Sequence, residues 1–290
     1  MTRRHTTLAL ALAGAGALVA TPAVAIEIVV TPAMLNGWSI LNFDSSANTD
    51  GAAPTPDGTT SFFAGGPATP PLGIGSLHQK VGPDGNDATR ALTSQFNGLA
   101  LSAITALSYS TYVSQNLGGQ ATYLQFRIDR DGDGAQDDRL FFEPVYQNGT
   151  YSQVGYSTDV IPNQCGMVAL CVTLGGWQTW NALVGGWWSD LDSAGGPPLT
   201  TLDDYFTQYP GAKLITTGPA IRIQAGGGAG AWDDFMGAVD SFTIATAAET
   251  NTFNFESAPE PGTLAVFGLG LLGLGALRRR KGRVPEVMTA

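Results

Sequence analysis

Apolar and polar residues alternate along several short stretches of the chain. In residues 122–128, three apolar side chains alternate with Tyr123 and Arg127, and residues 238–244 alternate in the same way. A period of two places successive side chains on opposite faces of a strand, so these stretches predict antiparallel sheet packed on one side. Further strands are predicted at residues 26–30, 35–43, 91–96, 101–112, 140–146, 213–217 and 220–224, and residues 235–245 are predicted to form the last strand.

Turn and capping signals separate these strands. Asn148-Gly149 lies between strand-like flanks and predicts a tight hairpin. One short helix is predicted at residues 200–206, where a threonine caps the start and two early aspartates favour the N-terminus. Many short strands with one helix, and no regular alternation of strands and helices, predict an all-β fold of the β-sandwich class.

The N-terminal segment has the three parts of a secretory signal peptide. Arg3 and Arg4 precede an apolar run at residues 8–20, and an Ala-x-Ala site ends at Ala25. We therefore predict export through the Sec translocon, with cleavage after Ala25. An N-terminal membrane anchor is the alternative, although the apolar run is short and rich in glycine and alanine for a permanent span.

The C-terminal segment combines a proline pair, an apolar stretch and a basic stop. Pro259, Glu260 and Pro261 precede apolar residues 263–277, and a cluster of basic residues follows at 278–283. As a helix the apolar stretch would be roughly 22 Å long, which is marginal against a hydrocarbon core of about 30 Å. We therefore predict a transmembrane sorting helix that stops in the inner membrane and is then cut at Pro-Glu-Pro. A permanent C-terminal anchor is the alternative.

This order of motifs resembles the PEP-CTERM sorting domain over residues 257–283. The resemblance implies an exported protein whose tail is recognised and removed by an exosortase, a membrane cysteine protease-transpeptidase. It further implies a Gram-negative cell that makes exopolysaccharide, with the product at the cell surface or in the extracellular matrix. Residues 284–290 extend beyond the point where most members of the family end.

A second resemblance concerns the end of the predicted sandwich. Residues 232–244 resemble the closing strand of concanavalin-like jelly rolls of extracellular proteins, and residues 175–177 and 185–188 are similar in character. The resemblance implies a jelly-roll fold and identifies no ligand. The predicted organisation is a signal peptide at residues 1–25, an extracellular β-sandwich at 26–256, a sorting domain at 257–283 and a tail at 284–290.

The charge of the segment between the two ends narrows the choice of partners. Residues 26–261 contain seven basic and 23 acidic side chains, a net charge of 7 minus 23, or −16. Such a chain repels nucleic acid and anionic lipid, which excludes both as direct partners. The acidic surface attracts divalent cations instead.

An aspartate-rich stretch at residues 129–138 carries the strongest local motif. Its D-x-D-x-D-G pattern places carboxylates on alternate residues of a tight loop, and hard Ca²⁺ ions prefer such oxygen ligands. The position of the bidentate glutamate of an EF-hand is taken by Leu140, so the loop is not a complete EF-hand. A solvated acidic turn without an ion is the alternative. The predicted calcium ligands are Asp129, Asp131, Asp133, the carbonyl of Ala135, Asp137 and Asp138.

Tryptophans and cysteines supply the remaining candidates. Four tryptophans lie close together among glycines and could stack on a sugar ring, although core packing is the commoner role of such residues in sandwiches. Cys165 and Cys171 are the only cysteines and are predicted to form a disulfide outside the cell, with buried free thiols as the alternative. The sugar-stacking candidates are Trp177, Trp180, Trp187 and Trp188.

Catalytic motifs are lacking in the segment between the two ends. It has no His-Glu-x-x-His, Gly-x-Ser-x-Gly or phosphate-binding loop. The first hypothesis is therefore a non-catalytic surface or matrix protein that binds exopolysaccharide and carries a structural calcium ion. The alternatives are a secreted glycan-active hydrolase or lyase, because two suitably spaced carboxylates are all that a glycosidase needs, and a structural matrix component without a specific ligand.

Overall fold

A computed structural model describes residues 24–166 and 170–257. These residues form two β-sheets and one α-helix, α1 (Leu202–Gln208), with 3₁₀ turns at Leu101–Ala103, Pro144–Tyr146 and Ala229–Trp232. The strands are β1 (Val24–Val30), β2 (Trp38–Asp44), β3 (Thr49–Gly51), β4 (Thr60–Gly65), β5 (Gly75–Lys80), β6 (Ala88–Thr93), β7 (Ala106–Gln115), β8 (Tyr123–Asp129), β9 (Asp138–Phe142), β10 (Trp177–Asn181), β11 (Trp188–Ser189), β12 (Lys213–Leu214), β13 (Ile221–Gly226), β14 (Met236–Ala245) and β15 (Glu249–Phe255).

The two sheets have seven and eight strands. The seven-stranded sheet runs β1-β15-β14-β5-β4, with β7 beside β14 and β10 beside β7. The eight-stranded sheet runs β11-β9-β8-β13-β6-β2-β3, with β12 beside β8. The architecture is an all-β, two-sheet sandwich with one helix, arranged like a jelly roll, which confirms the predicted fold class.

The core lies between the two sheets. Trp38 on β2 packs edge-on against three phenylalanines of the opposite sheet, with ring centroids 5.4–5.6 Å apart. On β8 the three apolar side chains of the alternating stretch are fully buried in this core. The alternation therefore sends Tyr123, Gln125 and Arg127 to the outer face of the eight-stranded sheet.

The helix begins at the predicted capping threonine. The Thr201 hydroxyl accepts a hydrogen bond from the Asp204 N–H at 3.1 Å, which satisfies one of the free donors of the first turn. The Asp204 carboxylate in turn accepts hydrogen bonds from the Ser157 hydroxyl and from the N–H groups of Thr158 and Asp159, at 2.7–2.9 Å. Burial alone would raise the pKa of Asp204, but these donors outweigh it and lower the pKa. The helix start thus fixes the preceding loop.

The observed strands differ from the predicted ones in several places, and β3, β4 and β5 were not predicted. The hairpin at Asn148-Gly149 is wrong, because β9 ends at Phe142 and Pro144, which has no N–H and a fixed φ, starts a 3₁₀ turn instead. No strand was predicted in the tryptophan-rich stretch, which contains β10 and β11. The segment predicted as the last strand is followed by β15, whose polar sequence gave no strong strand signal.

The first and last strands of the described chain pair with each other. β1 and β15 run parallel in register from Val24–Glu249 to Val30–Phe255. The predicted cleavage after Ala25 falls inside β1, and it would leave residues 26–30 paired with β15. Residues 1–23, 167–169 and 258–290 lie outside the described residues. The Pro-Glu-Pro site, the sorting helix and all but the last two residues of the predicted signal peptide therefore lie outside them too. Within the described ranges, no helix is long and apolar enough to cross a bilayer.

Candidate functional site

A cleft of about 430 Å³ lies on the outer face of the eight-stranded sheet. Its lining comes from β2, β6, β13, β8, β9 and β11, and the glycine-rich residues 226–228 also contribute. Gly226 has a φ of +90°, and a Cβ there would lie 2.1 Å from the Asp87 carbonyl oxygen, so only glycine fits. The Gly226 carbonyl accepts a 3.0 Å hydrogen bond from the Tyr123 hydroxyl, which ties this segment to β8.

Four aromatic rings form one wall of the cleft. Trp188 stacks on Phe141 with centroids 3.8 Å apart and ring planes within 5°. Tyr123 lies 6.2 Å from Phe141 and 5.5 Å from Trp232. Each of these side chains is at most 7% exposed. The wall therefore provides a rigid apolar boundary rather than an open ring face.

Three arginines line the cleft, and two of them are held by acids. Arg90 Nη1 lies 2.7 Å from Asp50 Oδ1, and Arg139 pairs through Nε with Asp190. Arg222 has no carboxylate within 4 Å among the described residues. Strand order places it on β13, between Arg139 on β9 and Arg90 on β6.

Arg222 and Gln125 are neighbours in the floor of the cleft, and both carry polar atoms without partners. They stand opposite each other in the register of β13 and β8. The Arg222 Nε and the Gln125 Oε1 are buried, and neither forms a hydrogen bond with any of the described residues. Burial, with Arg90 and Arg127 nearby, lowers the pKa of Arg222 to about 10, so it remains charged at neutral pH.

Glu143 follows β9 and lies beside the aromatic wall. Its Oε1 accepts a 3.0 Å hydrogen bond from the Trp188 indole nitrogen. Burial raises the pKa of Glu143 to about 7, and the hydrogen bond from Trp188 partly opposes this effect. The cleft therefore contains a carboxyl group that gains and loses its proton near neutral pH.

The four tryptophans predicted to stack on sugars have different environments. Trp180 and Trp187 are completely buried, and their indole N–H groups donate to Thr111 Oγ1 and the Ala182 carbonyl, both at 2.8 Å. Sugar stacking by these two is wrong, because they fill the core and their donors are satisfied there. Trp177 is partly exposed on β10, in the other sheet, away from the cleft. Only Trp188 lines the cleft, with one ring face against Phe141.

The aspartate-rich loop between β8 and β9 brings three of its carboxylates together. One oxygen each from Asp129, Asp131 and Asp137 lie within 4.8 Å of one another. The buried Asp129 accepts hydrogen bonds from the N–H groups of Gly132 and Gly134, both at 2.7 Å. Burial would raise its pKa, but these donors and the Lys213 ammonium, 3.3 Å away, outweigh it and lower the pKa. The loop thus contains a candidate cation site, and the positively charged ammonium group of Lys213 lies beside it.

Two other predicted calcium ligands lie outside this group of carboxylates. The Asp133 carboxylate accepts a 2.7 Å hydrogen bond from the Ala135 N–H, which closes the turn locally. Asp138 is buried and accepts hydrogen bonds from the hydroxyls of Ser189 and Tyr205, at 2.6 and 2.7 Å. Asp138 as a calcium ligand is therefore wrong, because its side chain points into the core, as the strand alternation of β9 requires.

Cys165 and Cys171 are joined by a disulfide. Both are buried, and they belong to the main core cluster. The bridge closes the segment that contains residues 167–169, between the 3₁₀ turn after β9 and β10.

Sequence reasoning did not identify the polar residues of the cleft. The signal was present in part, since the alternation of β8 already placed Tyr123 and Arg127 on the face opposite the core. The same alternation in β13 places Arg222 and Gln224 on this outer face, where both line the cleft. The sequence does not reveal that β8 and β13 are adjacent. The pairing of these two strands assembles the cleft.

Comparison with known proteins identifies the C-terminal end of the chain. Residues 257–281 match the PEP-CTERM protein-sorting motif. No curated protein and no solved structure shows significant similarity to the chain. The fold and the motif together define an exported β-sandwich protein that is sorted by an exosortase. The motif begins two residues beyond the end of β15.

Proposed function

We propose that this protein is a non-catalytic component of the cell surface or exopolysaccharide matrix, and that it binds a polysaccharide in the cleft of the eight-stranded sheet. The proposal is carried by one observation. The outer face of this sheet brings guanidinium, amide and aromatic groups together in a cleft of about 430 Å³. A few oriented polar groups beside an apolar wall are typical of small-molecule and sugar sites.

The orphaned atoms in the cleft floor further support binding there. A buried polar atom without a partner costs about 1–3 kcal/mol. Gln125 Oε1 and Arg222 Nε are two such atoms on adjacent strands. A ligand that reorders these side chains and supplies hydroxyl or carboxylate partners would recover part of this free energy.

Binding of polysaccharides to the exported protein tests the proposal. Gln125→Leu keeps the side-chain volume and removes an unsatisfied polar atom, so the fold should remain at least as stable. We expect this variant to lose about tenfold in affinity, as the loss of one hydrogen-bonding group predicts. Gln115→Leu, an exposed glutamine of the other sheet, is the control and should bind normally. Equal binding by the unchanged protein, Gln125→Leu and Gln115→Leu would refute the proposed site.

A glycan-active hydrolase or lyase is the second candidate, and Glu143 is the observation that favours it. Its pKa of about 7 suits a general acid or base at neutral pH. Asp190 also lines the cleft, but it is held by Arg139. Release of reducing ends or of unsaturated sugars, lost in Glu143→Gln, would establish an enzyme and replace the first proposal.

The proposal includes a structural calcium ion at the loop between β8 and β9. Asp129, Asp131 and Asp137 would hold it, and their convergence fits the oxygen-rich coordination that Ca²⁺ prefers. The Lys213 ammonium beside Asp129 offsets one negative charge. We therefore expect a weak site, with a Kd on the order of 10⁻⁴–10⁻³ M, as in extracellular modules. The ion would fix the loop outside the cell.

A further inference from the structure

Basic residues are concentrated in the cleft although the protein is acidic. Residues 26–261 contain seven lysines and arginines, and three of them, Arg90, Arg139 and Arg222, line this one cleft. Arg127 lies on the same outer face of β8. Glu143 and Asp190 also line the cleft, so basic side chains outnumber acidic ones by three to two. An excess of one sign of charge in a cleft raises the local concentration of oppositely charged ligands. The arrangement therefore favours an anionic ligand.

The two outer arginines are oriented and still have free donors. Arg90 uses Nη1 for Asp50 and Nε for the Gln224 amide oxygen, at 2.7 and 3.2 Å. Arg139 uses Nε for Asp190. A guanidinium group has five N–H donors. Each outer arginine can therefore keep its acid partner and also donate to a ligand.

The central arginine is the uncompensated charge. Arg222 is half-buried, has no acid partner within the described residues and has a buried Nε without an acceptor. Its neighbours Arg90, Arg127 and Arg139 disfavour its charged form, and the more distant Asp50 opposes them only in part. Leaving a partly buried charge unpaired is costly, and a bound anion would remove much of this cost.

We propose that the cleft binds a polysaccharide that bears carboxylate groups, such as a chain of uronic acids, and that Arg222 pairs with a carboxylate of the sugar. The inference rests on the proposed function and specifies its ligand. The planar fork of a guanidinium group matches a carboxylate through two parallel hydrogen bonds. Arg90 on β6 and Arg139 on β9 lie on opposite sides of β13 and bind the neighbouring residues of the glycan.

Calorimetry with one polysaccharide in two forms tests this inference. The exported protein is titrated with a polyuronate and with the same polymer after its carboxyl groups have been reduced to alcohols. We expect the polyuronate to bind at least tenfold more tightly, and Arg222→Gln to weaken its binding roughly 10- to 100-fold, as the loss of a charged hydrogen-bond pair predicts. Arg222→Lys should restore only part of the affinity, because the ammonium keeps the charge but loses the fork.

Lys80→Gln is the matched control, because it removes one positive charge from an exposed position in the other sheet. It should bind the polyuronate like the unchanged protein, and the melting temperature of each variant shows that it is folded. Equal affinity for the native and reduced polymers would overturn the inference but leave the proposed function standing. Stronger binding of a sulfated polymer than of the polyuronate would overturn the assignment to carboxylates. Binding of neither form would refute the proposed function itself.

Discussion

The indole nitrogen of Trp188 donates a 3.0 Å hydrogen bond to Glu143 Oε1 at the side of the cleft. This contact joins the apolar wall to a carboxyl group whose pKa lies at about 7. Donation to the carboxylate favours its charged form, whereas burial favours the neutral form. The protonation state of Glu143 and the position of Trp188 are therefore coupled, and two predictions follow from their contact.

The first prediction concerns stability and pH. The pKa of Glu143 in the folded protein lies above its ordinary value of 4.5, so the folded state binds the proton more tightly than the unfolded state. Between about pH 4.5 and 7 stability should therefore fall as pH rises, by on the order of 3 kcal/mol from this group. Urea unfolding at pH 5 and pH 8 measures this slope, and Glu143→Gln should reduce it. Asp240, whose pKa is raised to about 6 by burial, contributes equally in both proteins. Identical slopes would contradict the assignment.

The second prediction concerns the effect of Trp188 on the pKa of Glu143. Trp188→Phe keeps an aromatic ring against Phe141 but removes the N–H donor. We expect the pKa of Glu143 to rise further, by about one unit, because the carboxylate loses its hydrogen bond. Carbon-13 NMR of the glutamate carboxyl groups follows the titration. Trp177→Phe, in the other sheet, serves as the control and should leave the titration unchanged.

The third prediction separates the ligands of the proposed calcium site. Millimolar calcium should raise the melting temperature relative to chelator, and Asp131→Asn should abolish this difference. Asp133→Asn should retain it, because Asp133 lies outside the three carboxylates that converge. Lys213→Met should strengthen calcium binding, since the competing ammonium is removed. Equal melting of the unchanged protein in calcium and in chelator would rule the ion out.

The fourth prediction compares two adjacent aspartates of α1. Asp204→Asn should destabilise the protein by about 2–3 kcal/mol, because the donors of residues 157–159 lose a charged, buried acceptor. Asp203→Asn should cost less than about 1 kcal/mol, since Asp203 is an exposed acid of the first turn and its favourable interaction with the helix dipole is weak. Thermal unfolding measures both. A similar loss in the two variants would mean that the loop does not depend on Asp204.

Local patterns in the sequence determine much of this fold. Alternation correctly identified the core face of β8, and capping chemistry correctly predicted that a threonine starts α1, which the structure shows to be Thr201. These features depend on residues within a few positions of each other. The failed hairpin at Asn148-Gly149 shows the limit of such reasoning. There the buried amide of Gln147 bonds to the backbone of Gly186, at 2.9 Å through both its nitrogen and its oxygen, and no second strand is formed.

The cleft could not be predicted because it depends on pairings between distant segments. Gln125 and Arg222 become neighbours only when β8 and β13 pair. The tryptophans show a second limit of the sequence. A run of aromatic residues near glycines does not reveal which rings face the core. Trp187 and Trp188 are adjacent in sequence, but only Trp188 reaches the cleft.

The pairing of β1 with β15 imposes an order on assembly during export. β15 lies between β1 and β14, so when β15 pairs with them it covers an open edge of each strand. A chain threaded across the membrane from its N-terminus delivers β15 last, just ahead of the sorting motif at residues 257–281. Any polypeptide truncated before this strand also lacks the motif. Sorting through this motif would thus favour chains that are able to complete their seven-stranded sheet.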